Sequence, residues 1–336
     1  MIHADVIPYA LPFVRPIRLG DVLLRARTGW LLRISDNKGN VGWGEASPLP
    51  GFSRETAEQA ERDLMRVPPR IARGDFHPGL MDCSSVRFAL ELATADLAAH
   101  RKGLTLAKAF HPFAREKQSL NAVLLADEPV DEAHSAVRAG YRALKMKVGH
   151  RSVVEDSNRV RSVIEAVGDR ASVRLDANRA WSDGDAERFW EMVHDLPIEY
   201  VEEPLSNPAG LRRLAIQGMP VAIDESVVGL DPNELRRMNW LKAAVLKPTI
   251  IGGIRKAKVY ADRALKAGIK PVISSSMETG IGLRALAALA ASIGNEDVPA
   301  GLDTGRLMMQ DTTDPRFSGA PSLRTDQLNG YAVING

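Results

Sequence analysis

The sequence predicts a parallel α/β barrel carrying a separate N-terminal α+β domain, and three observations lead there. Short apolar segments ending in an acid or a lysine recur through the middle of the chain: Ala143–Gly149 (ALKMKVG), Val173–Asn178 (VRLDAN), Tyr200–Pro204 (YVEEP), Val221–Ser226 (VAIDES) and Ala244–Thr249 (AVLKPT). From Lys147, the steps to Asp176, Glu202, Asp224 and Lys247 are 29, 26, 22 and 23 residues. Each is close to the roughly 30 residues that a strand, a helix and two loops occupy in a barrel of eight such units. The first third of the chain lacks this alternation and puts sheet before helix, the mark of an α+β unit. Finally, 336 residues are enough for two domains.

Taken in order, Gly29–Ile34 and Val41–Glu45 are strand-like and flank the turn cluster Asp36–Asn40, so they form a hairpin. Arg54–Met65 and Ser84–Ala99 are helices, the second with Val86, Leu90, Ala93 and Leu97 on one face. Strict alternation begins near Ser119. Val153–Val167 is a helix closed by Gly168. Helices near Asp185–Leu196, Ala209–Gln217, Pro232–Met238, Ile254–Ala267 and Gly282–Ile293 separate the later strands, which end with Pro271–Ser276 and the short Gly301–Thr304. Eight strands are expected from Leu120 onward. The domains run 1–115 and 116–307, with the irregular tail 308–336 packing back on the first.

An apolar content of 45% and a net charge of +2, with no basic run, leave no footprint for nucleic acid or an anionic membrane. Met1–Phe13 lacks the apolar core of a signal peptide, and Ala285–Ile293, the longest apolar tract, is far short of a span of about 20 residues. The expectation is a cytoplasmic protein. A single cysteine, Cys83, excludes an internal disulfide and a multi-cysteine zinc site.

Strand alternation assigns the faces. Lys145 and Lys147 lie two apart and point into the barrel, as do Arg174, Asp176 and Asn178. One such charge is explained by a salt bridge; Arg174, one inward position below Asp176, suits a buried counter-ion. A whole set converging on one barrel mouth is a site. Asp176, Glu202 and Asp224 offer hard oxygen ligands with no histidine or cysteine nearby, which suits magnesium, with manganese as a substitute. A lysine beside a divalent cation and another ammonium has its pKa lowered and can serve as a base. Lys147 and Lys247, on the second and sixth strands, approach from opposite sides. That arrangement suits proton abstraction next to a carboxylate, with the metal steadying the enediolate.

In these residues the chain resembles the enolase superfamily. The K-x-K of Lys145–Lys147, D-x-N of Asp176–Asn178, E-E-P of Glu202–Pro204, D-E-S of Asp224–Ser226 and K-P-T of Lys247–Thr249 are similar to its muconate-lactonizing-enzyme subgroup. The resemblance implies a modified (β/α)7β TIM barrel under an N-terminal α+β capping domain. It also implies Asp176, Glu202 and Asp224 as metal ligands, Lys147 and Lys247 as the catalytic pair, and Lys145 beside the substrate carboxylate. Within the subgroup, GWGEASPLPGFSRET (Gly42–Thr56), RLDANRAW (Arg174–Trp181), LKPTIIGG (Leu246–Gly253), ISSSMETGIGL (Ile273–Leu283) and GLDT (Gly301–Thr304) resemble the o-succinylbenzoate synthase family.

That family's reaction is a magnesium-dependent dehydration of 2-succinyl-6-hydroxy-2,4-cyclohexadiene-1-carboxylate in menaquinone biosynthesis. Its likeness puts Leu49–Ser53 over the substrate, a flexible lid loop at Ile17–Thr28, and Ser274 and Gly301 beside the succinyl arm. The alternatives are an N-acyl amino acid racemase or a dipeptide epimerase using the same two lysines. A muconate-type cycloisomerase fits the Ser274–Ser276 and GLDT segments less well. Dipeptide epimerases usually carry D-x-D on the last strand, whereas Gly301–Thr304 has the single aspartate Asp303. A small-molecule carboxylate is the expected partner, with oligomeric state left open.

Overall fold

The chain is seen here as a computed structural model that describes residues 2–334; Met1 and, from the 308–336 tail, Asn335 and Gly336 lie outside it. The N-terminal part is an antiparallel sheet of β1 (Ile2–Leu19), β2 (Val22–Asp36) and β3 (Val41–Ala46) in that order. Helices α1 (Ala57–Leu64), α2 (Val67–Ala72), α3 (Ser84–Lys102) and α4 (Leu106–Phe110) follow. The helix anticipated from Arg54 starts at Ala57. Thr56 caps it, accepting from the Gln59 N–H at 3.2 Å while the Gln59 side chain accepts from the Thr56 N–H at 2.8 Å.

The hairpin expected between Gly29–Ile34 and Val41–Glu45 is β2–β3, with Trp30 opposite Ala46 and Ser35 opposite Val41. Its partner β1 was not foreseen. Ile17–Thr28, expected as a flexible loop, is instead a paired ribbon: Ile17 faces Leu24 and Leu19 faces Val22 across the turn at Gly20 and Asp21. Antiparallel pairing of β1 with β2, resumed past a register shift between Pro12 and Ile17, makes this segment sheet rather than loop.

Sequence dictates how the cap packs. In β3, Gly42 and Gly44 lie against α3, and a Cβ on either would collide with the carbonyl oxygen of Ala93 or Ala89 respectively. Two glycines facing two alanines let strand and helix backbones touch. Leu32, Ile34, Leu64, Val86, Leu90 and Leu97 then close a core private to the cap. Gly44→Ala should cost roughly 3 kcal/mol of stability, the upper range for overpacking. Urea unfolding checks this; a midpoint equal to wild type would show that helix and strand are not held at this spacing.

The second part is a parallel α/β unit. After β4 (Lys117–Ser119) come β5 (Ala122–Leu124), α5 (Val130–Ala139), β6 (Ala143–Lys147), α6 (Val153–Val167), β7 (Ser172–Asp176), α7 (Asp183–Val193) and β8 (Ile198–Glu202). They are followed by α8 (Leu211–Ile216), β9 (Val221–Ile223), β10 (Ala243–Leu246), α9 (Pro248–Ile251), α10 (Ile254–Lys266), β11 (Lys270–Ile273) and α11 (Gly280–Ala291). Strands β5 to β11 form one seven-stranded sheet in chain order, with every neighbouring pair parallel. Its two edges both bond to residues 300–301. Asn121 N–H donates to the Ala300 carbonyl at 3.0 Å, and Gly301 N–H to the Ile273 carbonyl at 2.9 Å. The expected strand Gly301–Thr304 is thus reduced to isolated bridges. Pro232–Arg237 is a 3-10 turn rather than an α-helix.

The apolar tract near residue 285 is α11, buried along its whole length. No helix among the described residues is long and apolar enough to cross a membrane. The cap and tail seal the start of α11. Glu45 of β3 accepts from the Thr279 and Gly282 N–H groups, both at 2.9 Å, and Asp311 accepts from the Gly280 N–H at 2.6 Å. The tail also meets β1, where Met309 N–H donates to Pro12 O at 2.7 Å. Its β13 (Ser322–Arg324) pairs with β4, and its β12 (Thr313–Asp314) with β14 (Ala332–Val333).

Candidate active site

Parallel register brings the charged residues side by side. Lys147 is paired with Asp176 across β6 and β7, and Asp176 with Glu202 across β7 and β8. Asp224 follows β9 directly, Lys247 follows β10, and Ser274 follows β11. All of them therefore sit at the C-terminal edge of one sheet. Four non-glycine residues have left-handed φ among those described: Asn178 (43°), Arg179 (62°), Glu203 (41°) and Met277 (63°). Each lies just past the end of β7, β8 or β11, where backbone strain gathers at functional sites.

Asp176, Glu202 and Asp224 are all buried, at 4%, 0% and 4% exposure. Burial raises the carboxyl pKa values of Asp176 and Glu202, but their neighbours pull them apart. Burial, then the Asp176 charge, pushes Glu202 well above the usual carboxylate range. Burial works the same way on Asp176, but Lys145, Lys147 and Lys247 outweigh it and hold that carboxyl low. Lys145 Nζ bridges the two acids, 2.8 Å from both Asp176 Oδ2 and Glu202 Oε2. Lys247 pairs with Asp224. The two lysines are thereby held charged: burial lowers their pKa values, but the acids around them raise both above normal. Lys147 differs from both. It is exposed at the mouth and makes no ion pair among the described residues.

The acids fit a hard divalent cation by donor type and placement. Three all-oxygen side chains come from adjacent strands, so close that the charges of Asp176 and Asp224 help push Glu202 up, and an ammonium bridges Asp176 and Glu202. With their carboxylates turned to Lys145 and Lys247, no three acidic, histidine or cysteine side chains among the described residues converge as a ready ligand cluster.

Around this centre the structure places the other expected residues. Ser274 Oγ donates to the Gly301 carbonyl at 3.2 Å, and a Cβ on Gly301 would lie 2.7 Å from that oxygen, so glycine is needed there. From the segment Leu49–Ser53, the Phe52 ring stands over Lys247, with Nζ 4.9 Å from its centroid. A cavity of about 230 Å³ lies between, lined by Gly51, Phe52, Asp224, Glu225, Val228, Lys247, Ile250 and Ile251. Arg174 lies within the sheet's interior as a counter-ion, donating to Glu199 at 2.8 Å and to the Pro299 carbonyl at 2.7 Å. Burial notwithstanding, Arg174 and Lys270 hold the Glu199 carboxyl down to about 2.

Three residues at the site escaped the sequence. Glu203, fully buried, accepts from the N–H groups of Asp224 (2.9 Å) and Ser226 (2.6 Å) and from Arg179 (3.1 Å), fixing the turn that carries Asp224. It stood in plain view as the second acid of E-E-P. Arg27, 1% exposed, donates to the carbonyls of Pro48 (2.9 Å), Met277 (2.8 Å), Ser276 (3.2 Å) and Ser47, tying the segment before Leu49 to the end of β11. Glu225 has its carboxyl pushed up to about 7 by burial and the Asp224 charge, and its Oε2 is buried without a hydrogen bond.

A parallel α/β sheet with acids and lysines gathered at its C-terminal edge, beneath an antiparallel cap, defines an enzyme of the enolase type. Residues 128–321 match the family model described as Enolase C-terminal domain-like, and residues 1–97 match the MenC N-terminal domain model. The chain is 33% identical to the o-succinylbenzoate synthase of Yersinia enterocolitica over 97% of its length and 98% of that protein. It thus belongs to the enolase superfamily, within the o-succinylbenzoate synthase family of hydro-lyases. In fold it is also similar to a dipeptide epimerase from Enterococcus faecalis, with a TM-score of 0.84 and 25% identity over 99% of this chain and 98% of that one. A muconate lactonizing enzyme from Pseudomonas fluorescens gives 0.83 and 24% over 99% and 96%.

Proposed function

We propose that the chain dehydrates 2-succinyl-6-hydroxy-2,4-cyclohexadiene-1-carboxylate to o-succinylbenzoate, with Asp176, Glu202 and Asp224 holding magnesium. The observation that carries this reading is the likeness to o-succinylbenzoate synthase along nearly the whole chain, together with the MenC N-terminal domain match over residues 1–97. Lys147 is exposed at the strand ends with no ion pair among the described residues, and Lys247 pairs with Asp224.

When bound, magnesium would supply positive charge to the substrate carboxylate and so acidify the adjacent C–H. Lys147 takes that proton, and as an ammonium returns it to the departing hydroxyl, which leaves as water. Lys247 stays charged beneath Phe52 and steadies the negative charge that develops on the ring. Lys145 neighbours the carboxylate end. Ser274 and Gly301 bound the succinyl arm, where a glycine leaves space. The domains proposed with this are a cap of 1–115 completed by 308–336 and a barrel of 116–307, closed as (β/α)7β through residues 300–301.

The epimerase reading needs an acid free to hold an ammonium on the last strand. Asp303 Oδ2 instead accepts from Val123 N–H and from Arg306 Nε, both at 3.1 Å, and Gly301 has no side chain. Complementation tests the proposal in a cell. A bacterial strain lacking its own o-succinylbenzoate synthase should regain menaquinone with this chain and not with its Lys147→Ala variant. Absence of rescue by well-expressed wild type would reject the activity.

A further inference from the structure

A second charged region lies behind the segment Leu49–Ser53, where the cap meets the barrel. It is a cleft of about 620 Å³ lined by five cations, Arg54, Arg62, Arg66, Arg87 and Lys256, against three carboxylates, Glu55, Asp63 and Asp82. The carboxylates are already committed. Glu55 accepts from the Ser85 N–H at 2.9 Å, Asp63 from Cys83 N–H and Arg66 at 2.8 Å each, and Asp82 from Arg66 at 2.7 Å. Arg54, Arg62 and Lys256 form no ion pair among the described residues, and Arg87 donates only to the carbonyls of Met81 and Asp82.

The free cations converge from three elements. Arg87 is in the first turn of α3 and Lys256 in the first turn of α10. Their charged ends, NH1 and Nζ, stand 3.7 and 3.8 Å from the spot a Cβ on Gly252 would occupy. Burial, then Arg87 and Arg54, push the Lys256 ammonium down, and no acid offsets them. The Arg54 guanidinium reaches Gly229, with one NH2 2.7 Å from where a Cβ would be; the φ of +95° there suits glycine.

Five cations against three carboxylates leave the cleft a net positive charge, and an anion would complete the cations that lack an ion pair. We propose that this cleft is a binding site, separate from the acid–lysine centre, for a small soluble oxyanion of the phosphate class carrying two or more charges, such as a diphosphate. Guanidinium and ammonium groups are the donors that recognise such oxygens. Arg54 directly follows Ser53, so occupancy also holds the end of the segment that sets Phe52 over Lys247.

The test is calorimetric titration of inorganic pyrophosphate into the full chain in magnesium-free buffer at fixed ionic strength. The expected result is saturable one-to-one binding that is weakened at least about tenfold by Lys256→Glu and by Arg54→Ser, and is retained by Lys147→Ala. Pyrophosphate should also slow tryptic cleavage after Arg54. Both substituted positions are exposed, and circular dichroism with the milder Lys256→Gln guards against a misfolded variant. Absence of saturation, equal binding by Lys256→Glu, or loss only in Lys147→Ala would each overturn the proposal. None of these readouts is dehydration, so this site and the proposed activity stand or fall separately.

Discussion

Lys147→Ala is expected to lower kcat for dehydration by at least about 10³-fold while leaving the fold intact. General acid–base groups contribute about 10²–10⁴-fold, and in the proposed reaction one group serves both the abstraction and the departure of the hydroxyl. The fold should survive because the Lys147 side chain is exposed and unpaired. Lys247→Ala should also be severe, about 10²–10³-fold, for a different reason: it removes a fixed charge from the developing anion. It also strips Asp224 of its partner, so a stability loss should accompany it and not Lys147→Ala. Steady-state kinetics with thermal melts of both variants separate the two roles. Near-normal turnover in Lys147→Ala would place the acid/base elsewhere.

The second large effect concerns the metal. Exhaustive chelation should abolish activity, with magnesium or manganese restoring it and zinc doing so poorly, because Asp176, Glu202 and Asp224 present only oxygen. Asp224→Asn keeps the side-chain volume and the main-chain bond from Asp224 N–H to Glu203, so it should fold, yet need far more magnesium for any activity. Metal titration followed by product formation reads this directly. Full activity in a chelated, metal-free preparation would remove the metal from the account.

What the sequence made legible follows from how far each signal reaches along the chain. Helix α6 was read to the residue because its ends are local: Ser152 and Glu155 form a capping box and Gly168 closes it. The site lysines and acids were legible because a βα unit repeats, so strand ends can be counted without knowing any contact. Strand β1 was missed because Pro8, Pro12 and Pro16 argue against a strand. Its place at the sheet edge tolerates them, and the register slips between Pro12 and Ile17. Helix α5 was missed because only Ala133, Ala136 and Val137 mark its buried face. Arg27 was beyond reach altogether: its partners Ser276 and Met277 lie about 250 residues away, and it falls in the segment Ile17–Thr28 read as a flexible loop. The pairing of the site acids with Lys145 and Lys247 was likewise invisible, since spacing gives position but not partners.

The most direct test of the central claim is a comparison of kcat/KM on one purified preparation. The cyclohexadiene carboxylate would be followed by ultraviolet absorbance, and an N-succinyl amino acid and a dipeptide by polarimetry. The account predicts o-succinylbenzoate formation at about 10⁴ M⁻¹s⁻¹ or more, N-succinyl amino acid racemisation at most as a slower side reaction, and dipeptides turned over far more slowly or not at all. Efficient epimerisation of either amino acid substrate, with the cyclohexadiene left untouched, would contradict it.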